Sequence, residues 1–230
     1  MIPLHDDNPT HSFPIVTIAF ITSCVMIFLW QLSLGEGINK AIYGLGAIPA
    51  VLFGFKSLPP EAVMVPDWAT AITSMFLHGG WMHLLGNMLY LWIFGNNIED
   101  AMGHRRFIVF YIVCGLAALF ANALPDPHSA IPMIGASGAI SGVLGAYLLL
   151  FPHARILVAI PLGIIFFTTR LPAGWVLAFW FILQIINVQL TSSQQGGVAW
   201  GAHVGGFVAG LVLIPFFKRK GVRLFTPRRS

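Results

Sequence analysis

Four side chains in this sequence have the types and spacing for hydrolytic chemistry. Ser137 sits in Gly135-Ala136-Ser137-Gly138, where a loop-like run turns into an apolar stretch. Glycines there permit a tight turn and a close approach. A serine at such a junction lies at a helix N-terminus. Free N–H groups and the positive dipole end favour a developing oxyanion there. His203, in the run Ala202-His203-Val204-Gly205-Gly206, can take the proton of a serine hydroxyl. His83 and Asn87 are four apart, share one helix face, and can both donate hydrogen bonds to an oxyanion. Packing is the competing account. Ser137/Ser141/Gly145, Gly138/Gly142/Ala146 and Ala202/Gly206/Gly210 are stripes of small residues at a spacing of four. Such stripes build close helix contacts in membranes, and His203 alone could equally be a helix-linking hydrogen bond.

The elements that carry these residues are apolar. Of the 230 residues, 57% are hydrophobic and 9% charged, against roughly 25% charged in a soluble domain. This predicts an all-α, polytopic membrane protein, one bundle of six spans. Residues 1–12 form a cytoplasmic N-terminal tail, 13–217 the membrane domain and 218–230 a basic cytoplasmic tail. The expected spans are 13–34, 81–98, 107–124, 137–151, 171–190 and 198–217. Residues 35–67 form a long first loop with apolar islands, expected to rest in the membrane interface. The first apolar run lacks a basic leader, so no cleavable signal peptide or transit peptide is expected. Cys24 and Cys114 lie in apolar runs and read as small buried hydrophobes. The net charge of +4 is no nucleic-acid signal, because the basic residues cluster at span ends.

Lysine and arginine placement sets the orientation. Six spans with a cytoplasmic N-terminus put Arg105, Arg106, Arg155, Arg170, Lys218, Arg219, Lys220, Arg223, Arg228 and Arg229 inside, and only Lys40 and Lys56 outside. The chain is therefore expected in the cell (inner) membrane with both termini cytoplasmic. The apolar run 156–167 is too short for a ~30 Å core at ~1.5 Å per residue. As a seventh span it would also put the basic tail outside. It reads as a cytoplasmic-side hairpin or interfacial segment. His83, Asn87, Ser137 and His203 then share one depth below the outer face. Polar groups inside a membrane are costly and functional by default.

A histidine base is commonly oriented by an acid. The eight carboxylates are Asp6, Asp7, Glu36, Glu61, Asp67, Glu99, Asp100 and Asp126, and none lies in an outer half-span. The expectation is a Ser–His dyad, its histidine held by packing or by an aromatic neighbour. A zinc site of His78, His83 and His203 is disfavoured: His78 and His83 are five apart across Gly79-Gly80, and no HExxH occurs. No metal or cofactor is expected.

Gly-Ala-Ser-Gly at 135–138, Ala-His-Val-Gly-Gly at 202–206 and His-Gly-Gly-Trp-Met-His-Leu-Leu-Gly-Asn at 78–87 together resemble the rhomboid family of intramembrane serine proteases. The resemblance covers roughly residues 67–217. It implies Ser137 as nucleophile, His203 as base, and His83 and Asn87 as oxyanion-hole side chains beside the Ser137 N–H. It implies a six-helix core in the lipid bilayer that cleaves single-span membrane proteins near the outer ends of their helices. Gly95, Glu99 and Gly103 match a further, structural family pattern, and His78 matches as well. Residues 191–197 would form a mobile cap over the site, and the fifth span, with Trp175, Phe179, Trp180 and Phe181, would border the substrate's path. The first loop departs from many relatives in lacking a Trp-Arg pair. The competing classes are a catalytically silent rhomboid-like binder, disfavoured because Ser137 and His203 are both present, and a small-solute transporter, for which the expected internal repeats are missing.

Overall fold

The computed structural model describes residues 1–163, 165–190 and 198–226. Six helices form the bundle: α1 (Ile15–Ser33), α5 (Trp81–Met102), α6 (His104–Ala123), α7 (Ser137–Leu150), α8 (Ala173–Leu190) and α9 (Trp200–Phe217). Four of them, α1, α6, α8 and α9, are long and apolar enough to cross a membrane. The chain is a multi-pass membrane protein. Between α1 and α5 lie three shorter helices, α2 (Ile38–Leu45), α3 (Pro49–Leu52) and α4 (Thr70–Thr73).

The helix ends are set by local chemistry. Pro14 precedes α1 and has no side-chain acceptor to cap it. Glu99, wholly buried in α5, supplies the cap from another helix. Its carboxylate accepts from the Val16 and Thr17 N–H groups at 2.9 and 2.8 Å and from the Thr17 hydroxyl at 2.7 Å. These are donors a helix N-terminus cannot satisfy internally. Gly95, one turn earlier, lets α1 approach: a Cβ there would lie 3.1 Å from Thr17. Gly103 separates α5 from α6 with φ +85°, a left-handed conformation suited to glycine.

The run 156–167, expected as a hairpin or interfacial segment, belongs to an antiparallel hairpin of β2 (Arg155–Leu162) and β3 (Ile165–Pro172). Residues 1–12 are more than a polar tail. Ile2–Asp6 forms β1, which pairs antiparallel with β2 and gives a sheet of order β1-β2-β3. Tyr147 of α7 donates to the buried Asp6 Oδ2 at 2.6 Å and anchors the sheet beneath that helix. Burial pushes the Asp6 carboxyl above its usual range, against the lowering effect of the Tyr147 hydrogen bond. The start of the C-terminal segment is also packed: the Arg219, Phe225 and Thr226 N–H groups donate to Ala101, Leu149 and Leu150 carbonyls.

The small-residue stripes meet as their spacing suggests. A Cβ on Gly206 would lie 2.1 Å from the Gly138 carbonyl oxygen. One on Gly210 would lie 2.0 Å from that of Gly142, and one on Gly145 2.2 Å from that of Phe207. Helices α7 and α9 therefore touch backbone to backbone. Lipid tails are as apolar as leucine, so such close packing, rather than hydrophobic burial, holds helices together in a bilayer. Gly210→Val should force the pair apart, with a loss on the order of 1–3 kcal/mol and a melting temperature several degrees lower in detergent. A variant that melts like the wild type would contradict the backbone contact.

Candidate active site

Ser137 is the first residue of α7, and its position is set by the strand of chain before it. The loop 125–136 is clamped just before it enters α7. Met133 and Ala47 exchange backbone hydrogen bonds of 3.0 and 2.8 Å, and the Gly135 N–H donates to the Ser74 carbonyl at 2.9 Å. Segment 34–80 thus forms a shelf against which the chain entering α7 is held. Gly135 has φ +118°, which L side chains rarely adopt. It then turns into α7, where Ser137 N–H is among the four donors a helix start leaves open.

His203 lies in the first turn of α9, buried. Its Nε2 is 2.8 Å from Ser137 Oγ. The backbone contacts of α7 with α9 bring the two side chains, 66 residues apart in sequence, to hydrogen-bond distance. His203 has two indole neighbours: Trp180 at 5.9 Å and 30°, Trp200 at 5.8 Å and nearly perpendicular. Both centroids fall within the ~6 Å range of ring–cation attraction.

Sequence reasoning missed one partner. His203 Nδ1 is 2.8 Å from Gln184 Oε1 of α8, and Gln184 is buried. The available signal was a polar residue in an apolar span. That signal was shared with Asn187 and Gln189, and only the fold distinguishes them. The expectation that packing or an aromatic neighbour holds His203 is therefore incomplete, because an amide holds it as well.

His83 and Asn87 converge on the turn before Ser137. A Cβ on Gly135 would lie 2.6 Å from His83 Nε2 and 3.7 Å from Asn87 Nδ2. The Gly79 N–H donates to His83 Nδ1 at 3.3 Å, so the ring proton is on Nε2, the nitrogen facing Gly135. Asn87 is buried, and among the described residues its Nδ2 has no partner. A donor kept dry and unpaired is costly, and here it lies beside the serine's turn. His78 is wholly buried and packs edge to face on His83 at 5.1 Å. Gln31, also missed, holds the His78 backbone in α1's grip: its amide donates to the His78 carbonyl at 3.2 Å and accepts the His78 N–H at 3.0 Å.

A cavity of about 40 Å³ adjoins Ser137, lined by Met133, Gly135, Gly138, Ala199 and Ala202 among others. That volume matches one water or one small side chain. The larger cavity, of about 360 Å³, lies near the far end of α5 around Asn97, Asp100 and Arg219 and contains none of these residues. Residues 191–197, expected as a cap, lie outside the described residues.

A family model described as "Rhomboid domain" matches residues 65–220. The chain belongs to the rhomboid family. The yeast Saccharomyces cerevisiae protein "Rhomboid protein 1, mitochondrial" is 34% identical over 203 residues, which is 84% of this chain and 54% of that protein. "RHOMBOID-like protein 5" of Arabidopsis thaliana is 30% identical over 148 residues, 62% of this chain and 41% of its own. "Rhomboid protease GluP" of Bacillus subtilis is 32% identical over 136 residues, 59% of this chain and 24% of its own. The rhomboid chain described here thus spans about half, or less, of the length of these relatives.

Gly135 is the residue whose replacement separates these contacts from simple backbone strain. Gly54 also has positive φ, +75°, but no atom lies within 4 Å of a Cβ placed there. Alanine at either position carries the left-handed strain, whereas only Gly135→Ala also collides with His83. Gly135→Ala should therefore cost about 1–3 kcal/mol more than Gly54→Ala, measured by thermal unfolding of both variants in one detergent. Equal losses would contradict the close approach of His83.

Proposed function

We propose that this chain is an intramembrane serine endopeptidase that hydrolyses single-span membrane proteins near the outer membrane face by a Ser–His mechanism. The observation that carries the reading is the 2.8 Å contact between Ser137 Oγ and His203 Nε2, made between the first turns of two apolar helices. Ser137 Oγ attacks the scissile carbonyl carbon while its proton passes to His203 Nε2. The carbonyl oxygen, now negative, is met by His83 Nε2–H, Asn87 Nδ2–H and the Ser137 N–H. These donors develop their full strength only once charge appears. The imidazolium formed has the Trp180 and Trp200 rings as neighbours at 5.9 and 5.8 Å, and aromatic rings at that range can favour a cation. Collapse expels the amine, which takes the proton from His203 and leaves an ester on Ser137. A water then gives its proton to His203 and attacks the ester, and Ser137 is restored.

The membrane placement follows the same reading. We infer six spans, with α5 and α7 crossing alongside α1, α6, α8 and α9, in the cell (inner) membrane with cytoplasmic termini. Helix α7 has 14 residues, roughly 21 Å at ~1.5 Å per residue, against a ~30 Å core. With its far end at the cytoplasmic interface, Ser137 is recessed below the outer surface, where a substrate helix would have to unwind to present a peptide bond. A silent rhomboid-like binder would have no need of a serine–histidine hydrogen bond or of an unspent amide donor beside it.

The test is cleavage of a single-span test substrate in proteoliposomes. Ser137→Ala should abolish it with melting temperature near wild type, and retained cleavage would sink the assignment. Asn87→Ala should lower kcat by about 10²–10³, the usual cost of one oxyanion donor, with little change in KM. A rise in KM alone would make Asn87 a binding or packing residue instead.

A further inference from the structure

From Ala178 to the end of α8, Gln184 is the only buried side chain. The rest of this stretch faces outward or is half-covered, with Phe179, Ile182, Leu183, Ile185 and Ile186 exposed. One long amide is turned inward, onto His203. We propose that Gln184 is a positioning residue that holds His203 in the tautomer able to act as base, so that the site is a serine–histidine–glutamine line with an uncharged third member. This rests on the serine-protease reading above.

The direction of every hydrogen bond in the line follows from one fixed point. The Trp180 carbonyl can only accept, and Gln184 Nε2 lies 2.9 Å from it. That nitrogen is therefore the donor, and the amide oxygen Oε1 is the atom facing His203 Nδ1 at 2.8 Å. An amide oxygen can only accept, so Nδ1 carries the proton. A neutral imidazole has one ring proton, which leaves Nε2 with a free lone pair. That lone pair points at Ser137 Oγ, 2.8 Å away, and the hydroxyl proton must lie between them. Each atom is thus in the protonation state that the first proton transfer needs. Without Gln184 the ring is free to take the other tautomer, with Nε2–H aimed at Ser137 and no base in place. That is the loss an acid prevents in a three-membered serine site.

An amide suits this position better than an acid would. A carboxylate there would need an apolar helix to carry a charge out of water, at a cost larger than its pairing returns unless the cation is always present. The His203 cation exists only during turnover. A neutral acceptor orients the ring at all times and adds no standing charge. No carboxylate replaces it: among the described residues, the hydrogen-bond partners of the His203 ring are Gln184 and Ser137.

Two measurements test this. The first is the ¹⁵N spectrum of histidine-labelled wild-type protein at alkaline pH, read against His203→Asn to assign the signal. His203 should be protonated on Nδ1 and bare on Nε2, opposite to the preference of a free histidine side chain. A ring protonated on Nε2 overturns the proposal whatever any variant does. The second is the rate at which a fluorophosphonate labels Ser137 and the kcat and KM for a single-span substrate, in Gln184→Met and Gln184→Glu. Methionine keeps the volume and removes the acceptor. Its kcat and labelling rate should fall roughly 10- to 100-fold, the size of orphaning one buried donor, with KM nearly unchanged. Glutamate still accepts from Nδ1 and should recover most of the rate. Wild-type rates in the methionine variant, or equal losses in both variants, overturn the proposal. If wild-type Ser137 is not labelled at all, the protease reading fails first, and the nitrogen spectrum still decides the tautomer.

Discussion

The structure depends on the direct contact between the backbones of α7 and α9. Gly138 meets Gly206, Gly142 meets Gly210, and Gly145 meets Phe207, each with no space for a Cβ. Because that contact fixes both the distance and the rotation of the two helices, it also fixes the Ser137–His203 pair at their first turns. A larger residue anywhere along the seam would move the serine and the histidine together with the helices that carry them. In a bilayer there is little hydrophobic gain from burying one apolar helix against another, so shape does this work. The same glycines that weaken a helix in water are here the condition for the site to assemble.

Around that seam, buried polar groups act as clamps between helices. Glu99 fastens α5 to the start of α1, Gln31 fastens α1 to the chain entering α5, and Tyr147 fastens α7 to the sheet through Asp6. Gln184 fastens α8 to α9 through His203. Each is satisfied by partners from a distant segment, as the low dielectric demands. Among the described residues, four buried polar atoms lack a partner: His78 Nε2, Asn97 Oδ1, Tyr111 Oη and Asn87 Nδ2, of which the last lies beside the serine's turn. What sets Asn87 apart from the other three is its donor's place next to Gly135, and in the proposed mechanism its standing cost is offset during turnover. Such a cost is expected where a group is kept in reserve for a charge that appears only transiently.

Much of this was legible in the sequence, for reasons that can be named. Ser137, His203, His83 and Asn87 stood out because polar groups in apolar runs are rare, and their spacing put them at one depth. The seam was legible because small residues at a spacing of four have few other uses. The sheet was not. Ile2–Asp6 pairs with residues 150 or more positions away, and a five-residue polar–apolar run ahead of a span carries no local mark of its partner. The short helices of segment 34–80 were hidden by their length, below what periodicity can resolve. Gln184 was hidden by its neighbours Asn187 and Gln189: all three break the apolar pattern, and only the rotation of α8 against α9 decides which one meets the histidine.

The central claim is that Ser137 is made nucleophilic by His203. The most direct measurement is peptide mass mapping of the membrane-embedded protein after reaction with a fluorophosphonate, in wild type and in His203→Asn. The account predicts a single phosphonyl adduct on the peptide bearing Ser137, and on the histidine variant, folded by its melting curve, a yield reduced by about 10² or more. An adduct on another serine, or equal labelling of Ser137 without the histidine, would contradict it.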